Sequence, residues 1–135
     1  MSNSTKSTSA AEAEKLVLDF LHSWDGRDLD HIMSFFTPDA IYHNVPVAPI
    51  VGAAGIRNIF AAFLDAFAVA ALDVVSIAAK PDLVLAERID RFTLRGGGKV
   101  VLPVNGVFVL RGGKIARFSD YFDLASFEQQ SGMNL

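Results

Sequence analysis

Hydrophobic positions recur every three to four residues up to Phe67 and every two residues from about residue 70 onward. Leu16, Val17, Phe20, Leu21 and Trp24 fall on one side of a 3.6-residue turn, which predicts an amphipathic helix over 11–24. Gly26 in "DGRD" ends it. A short second helix is expected over 28–36, stopped by "TPD", and "AIYHN" reads as a brief strand. Pro46 and Pro49 keep "VPVAP" out of both regular structures. Ile56, Ile59, Phe60, Phe63, Leu64 and Phe67 then form one stripe over about three turns, a third helix. Strands are expected at 70–79, 83–94, 99–111 and 114–122. "LRGGGK" and "LRGGK" join the last three as antiparallel hairpins, because glycine supplies the positive φ of tight turns. "LASFEQQ" predicts a short closing helix.

Helices followed by a meander of long strands make an α+β plan, with helices on one face of a curved, mostly antiparallel sheet. Strand 99–111, "VVLPVNGVFVL", is apolar on both parities, so both of its faces should be covered. One would meet the helices and the other a second copy of the chain, so a homodimer is expected; only Asn105 interrupts that outer face.

Composition narrows the class without choosing a function. The 135 residues suit one domain, and 51% hydrophobic content suffices for a full core. The Ser/Thr-rich residues 1–10 read as a disordered tail ahead of a single domain at 11–135. They lack the apolar stretch of a secretory signal, and no uninterrupted apolar run reaches the ~18 residues of a membrane span. Cysteine is absent, which removes thiol chemistry and fits a cytoplasmic location. A net charge of −3 without a basic cluster argues against nucleic-acid partners.

Candidate chemistry lies where polar residues take the parity of apolar ones. In "LVLAERIDRFTL", Arg88 and Asp90 share a side with Val84, Ala86, Phe92 and Leu94. In "IARFSDYF", Asp120 shares one with Ala116, Phe118 and Phe122; in "AIYHN", Tyr42 and Asn44 share one, with His43 opposite. If these faces line one concave sheet, the five groups converge in an apolar pocket. Two acids around one arginine leave an excess negative charge, relieved most cheaply by a single shared proton. One protonated and one ionised carboxyl is the division that acid–base catalysis needs. The same residues would also suit a solvated ion pair, and Glu87 and Arg91 charge the other side of the strand. Histidines 22, 31 and 43 lack ligand spacing, so no metal is expected; "RGGGK" is a turn and no GxSxG elbow occurs.

Four segments, "IYHNVPVAPIVG", "LVLAERIDRF", "LPVNGVFVLRGGKI" and "FSDYFDLASFE", resemble the limonene-1,2-epoxide hydrolase family, within the nuclear transport factor 2-like, or SnoaL-like, cones. The ordered set Tyr-x-Asn, Glu-Arg-x-Asp and Asp-Tyr-Phe-Asp carries the likeness, which runs from about residue 12 to the C-terminus. It implies a cone-shaped mixed sheet with the N-terminal helices on its concave face. It also implies a cofactor-independent epoxide hydrolase that makes a vicinal trans-diol from a small apolar epoxide and water. Asp120 would be the general base, Tyr42 and Asn44 the holders of the water, Asp90 the general acid, and Arg88 the bridge between the acids. Asp123 receives no role.

By parity and resemblance, Trp24, Phe63, Phe67, Val69 and Phe92 should line the substrate pocket. Leu102, Val104, Phe118, Phe127 and Leu135 should complete it. Phe63 and Phe67 are bulkier than the aliphatic residues expected there, which favours a smaller or flatter cyclic epoxide over limonene oxide. Two other readings stay open on the same cone: an isomerase or polyketide-type cyclase, and a non-catalytic binding or dimerisation module.

Overall fold

In the computed structural model, which describes residues 7–135, helix α1 (Ala10–Ser23) opens on a capping box: Ser9 accepts from the Glu12 amide while the Glu12 carboxylate accepts from the Ser9 amide. Just before it, the Ser7 hydroxyl and the Thr8 amide both donate to the Asp82 carboxylate at 2.7 Å. The expected tail is therefore tied down from Ser7 onward, and its residues 1–6 lie outside the described residues. A 3₁₀ turn (Trp24–Gly26) ends on Arg27 in the left-handed region, and α2 (Leu29–Met33) follows under an Asp28 cap.

Helix α2 is shorter than expected because the chain turns extended at Phe36, whose ring is buried edge-on against Phe20 at 5.3 Å. Strand β1 (Phe36–Asn44) therefore takes in "TPD" as well as "AIYHN", and its pairing slips between Phe36 and Ile41, around the N–H that Pro38 lacks. A two-residue edge strand, β2 (Ile50–Val51), was not anticipated; it pairs with Ile41 and Tyr42. Helix α3 (Ala53–Ala66) buries Ile56 and Phe60, and strand β3 (Phe67–Lys80) starts at its cap, three residues earlier than the period predicts. Strands β4 (Leu83–Leu94), β5 (Lys99–Arg111) and β6 (Lys114–Tyr121), then helix α4 (Leu124–Ser131), follow the expected bounds closely.

The six strands form one open mixed sheet in the order β2-β1-β6-β5-β4-β3. Among the described residues, only β1 and β6 run parallel. Register slips in β3 after Phe67 and after Val74 bend the long strands, as bulges do, and the concave side receives the helices. Phe20 of α1 sits at the centre of the core, edge-on to Phe36, Phe108 and Phe118. The fold is thus the α+β cone that the sequence pattern and the resemblance imply. On the convex side, Val75, Leu85, Val101 and Tyr121 are exposed in the single chain. Among the described residues, no helix is long and apolar enough to cross a membrane.

Candidate active site

Inward-facing positions on three strands carry the polar groups of the cone. Arg88 and Asp90 stand on β4, Asp120 on β6, and Tyr42 and Asn44 on β1, where Asn44 is the register partner of Asp120. Arg88 is only 1% exposed, Asp90 5% and Asp120 6%. Strands β4 and β6 are separated by β5, a gap of roughly 10 Å at ordinary strand spacing. Arg88 spans it lying flat on the sheet.

Its guanidinium grips both acids. Nε and Nη2 donate to the two oxygens of Asp90 at 3.0 and 2.9 Å, while Nη1 and Nη2 donate to those of Asp120 at 2.9 Å each. Both contacts are bidentate, the planar-fork geometry that lysine cannot reproduce. The Phe118 ring lies against the guanidinium, with Cζ 5.7 Å from its centroid. Beside Asp120, the Tyr42 hydroxyl donates to Asn44 Oδ1 at 2.9 Å. That bond leaves the phenol oxygen free to accept and the Asn44 amide free to donate.

Electrostatics follow from two negative groups sharing one positive group in a dry place. Burial pushes the Asp120 carboxyl up to about 6, with the charge of Asp90 adding and Arg88 opposing. Because the acids are coupled through the same cation, the proton belongs to the pair. Burial, and then the nearby Asp120, raise Tyr42 well above the usual phenol range, so it stays protonated. Burial works hardest against the charge on Arg88, yet Asp120 and Asp90 together outweigh it and hold the guanidinium charged.

These groups line one apolar cavity. Nine of the ten expected wall residues line it, Leu135 included. Val69 does not. The slip in β3 after Phe67 pairs Val69 with Thr93, on the outward parity, and leaves it 53% exposed. Phe60, Leu72 and Phe122 line the cavity without having been anticipated. Each carried a legible signal: Phe60 is on the α3 stripe, Leu72 is the register partner of Asp90, and Phe122 continues the parity of Asp120. Phe67 stacks on Phe92 at 4.4 Å and 7°, and Phe63 stacks on Phe67 at 6.0 Å and 20°, so that side of the wall is flat. Among the described residues no group of His, Asp or Glu side chains is arranged to hold a metal ion.

An open α+β cone of this kind is the form of a SnoaL-like protein. The chain belongs to the SnoaL-like domain family, which matches residues 17–118 and so includes Tyr42, Asn44, Arg88 and Asp90, with Asp120 just beyond. Among solved structures, it is similar to an LEH-like epoxide hydrolase of M. tuberculosis at 25% identity, covering 90% of each chain with a TM-score of 0.79. A candidate polyketide cyclase from Xanthomonas campestris pv. campestris matches at 21% identity over 96% of this chain and 99% of its own, TM-score 0.81. A candidate hydroxylase from Streptomyces galilaeus matches at 23% identity, 92% and 83% coverage, TM-score 0.79. The family thus has enzymatic members, and the last two likenesses concern the fold alone.

Proposed function

We propose that this chain is an epoxide hydrolase that adds water to a small, flat, apolar epoxide in one acid–base step, without a cofactor. The observation carrying this reading is Arg88 bridging Asp90 and Asp120 through four hydrogen bonds of 2.9–3.0 Å at the apolar cavity. An epoxide presents a strained ring, an alkoxide that leaves poorly and a need for a better nucleophile than water. A base on one side and an acid on the other meet both needs, each worth about 10²–10⁴-fold.

The pair's single proton is sorted by what binds. An epoxide oxygen only accepts, which favours the protonated form of Asp90. A water molecule near Asp120 would donate one hydrogen to that carboxylate and the other to the Tyr42 oxygen, and accept from the Asn44 amide. Its remaining lone pair is then free to attack the epoxide carbon. As the C–O bond breaks, Asp90 hands its proton to the leaving oxygen and Asp120 takes one from the water. Attack from the face opposite the departing oxygen gives a trans-diol; the dyad keeps its net charge throughout, and one internal proton return from Asp120 to Asp90 restores its starting protonation.

Asp90→Asn and Asp120→Asn test the assignment. Each is expected to lower kcat by at least about 10²-fold on an epoxide such as cyclohexene oxide while the fold persists. Full activity in either would remove it. A cyclase or isomerase reading is favoured by the raised Asp120 carboxyl, a suitable lone base. It would yield a rearranged product of unchanged mass. A purely binding role would leave every epoxide intact. The exposed convex face is the surface proposed for a second copy of the chain.

A further inference from the structure

We infer that Gly106 is a positioning residue for the dyad: its missing side chain is the channel through which Arg88 reaches Asp120. The inference rests on the proposed hydrolase chemistry only for its kinetic consequence. Gly106 is in register with Ala86 of β4 on one side and with Asp120 of β6 on the other, midway along the bridge. A Cβ built on it would stand 2.5 Å from Arg88 Nη1, 2.9 Å from Asp120 Oδ1 and 3.2 Å from Phe108 Cε1. The first two distances are shorter than real Cβ contacts allow.

Ends of long side chains ordinarily step aside at little cost. These cannot, because Nη1 and Oδ1 are bonded to each other at 2.9 Å, and both belong to the buried four-bond cluster. Room for a methyl group at position 106 therefore comes only by parting the guanidinium from Asp120. Glycine in a strand interior otherwise weakens it, and here no turn or positive φ calls for one, so close approach is the remaining reason. The consequence is chemical. With Arg88 displaced, Asp120 loses the contact that opposes its burial, and its carboxyl holds its proton to higher pH.

The test is Gly106→Ala, made alone and in an Arg88→Lys background, where no Nη1 crosses the position. Melting temperature is followed against pH, which reports the dyad whatever the protein catalyses. The inflection near pH 6 in the native chain is expected to move up by about one unit or more in Gly106→Ala, the shift expected for losing a carboxylate's arginine partner. kcat for epoxide opening is expected to fall at least about tenfold with KM little changed. In the Arg88→Lys background the glycine replacement is expected to leave the melting temperature where it was. That comparison still decides the matter if the single variant fails to fold. An unmoved inflection, or an equal penalty in both backgrounds, would overturn the inference. Absence of diol from the native chain, alongside a shifted inflection, would reject the hydrolase reading and leave the role of Gly106 standing.

Discussion

At the scale of single residues, Asp120 carries the sharpest consequence. Its carboxyl is raised from the ordinary value of 3.8 to about 6 by burial, so the folded chain binds the proton more tightly than the unfolded chain. The associated stability is fully present below pH 3.8 and is lost as pH rises through about 6. The loss is on the order of 3 kcal/mol for a shift of this size. The melting temperature of the native chain should therefore drop between about pH 5 and 7, and the Asp120→Asn variant should lack that drop; parallel curves for the two would contradict it. Activity takes the same sign. In the proposed chemistry the singly protonated dyad is the working form, so kcat/KM should decline above about pH 6. Removing Arg88 instead would strand two buried carboxylates, at a cost of several kcal/mol.

At the scale of elements, alternation offered the residues that meet in the cluster as a candidate set, and the resemblance chose it over a solvated ion pair. On β4, on β6 from Arg117 onward and at the end of β1 the parity is unbroken, so Arg88, Asp90, Asp120, Tyr42 and Asn44 face inward as a period of two requires. Where a strand slips, the same rule failed. The bulge after Phe67 sends Val69 outward, and around the slip at Pro38 the expected helix took in Phe36 while "TPD" read as its stop rather than as strand. Short β2 has too few residues to show any period. Gly106 was illegible for another reason: its role depends on what passes over it from a strand some 18 residues away in sequence, which no local pattern records. The wall formed by α3, β3 and β4 carries its own prediction. Its stacked Phe63, Phe67 and Phe92 rings narrow the cavity, so Phe67→Leu should improve kcat/KM for limonene oxide relative to cyclohexene oxide by about tenfold. An unchanged ratio in a competition assay would show that these rings do not set substrate size.

At the scale of the whole molecule, the helices fill only the concave side of the sheet. The convex side exposes Val75, Leu85, Val101 and Tyr121, beside the exposed Arg91–Asp73 ion pair at 3.1 Å. This face is the surface proposed above for a second copy of the chain. Light scattering should find two copies per particle, and Val101→Glu should shift the population to monomers while the core stays folded. A native chain that remains monomeric at high concentration would remove the second copy from the account. The cavity itself is built within one chain, so the dyad's titration should survive that dissociation.

In the proposed reaction water is the nucleophile, with both carboxyls moving protons and neither forming a bond to carbon. A single turnover with enzyme in excess over cyclohexene oxide, run in ¹⁸O-water, tests this most directly. The expected result is one ¹⁸O in the diol from the first turnover. An unlabelled diol in that turnover would mean that an enzyme carboxylate attacked, and an unlabelled rearranged product would mean that no water was added at all.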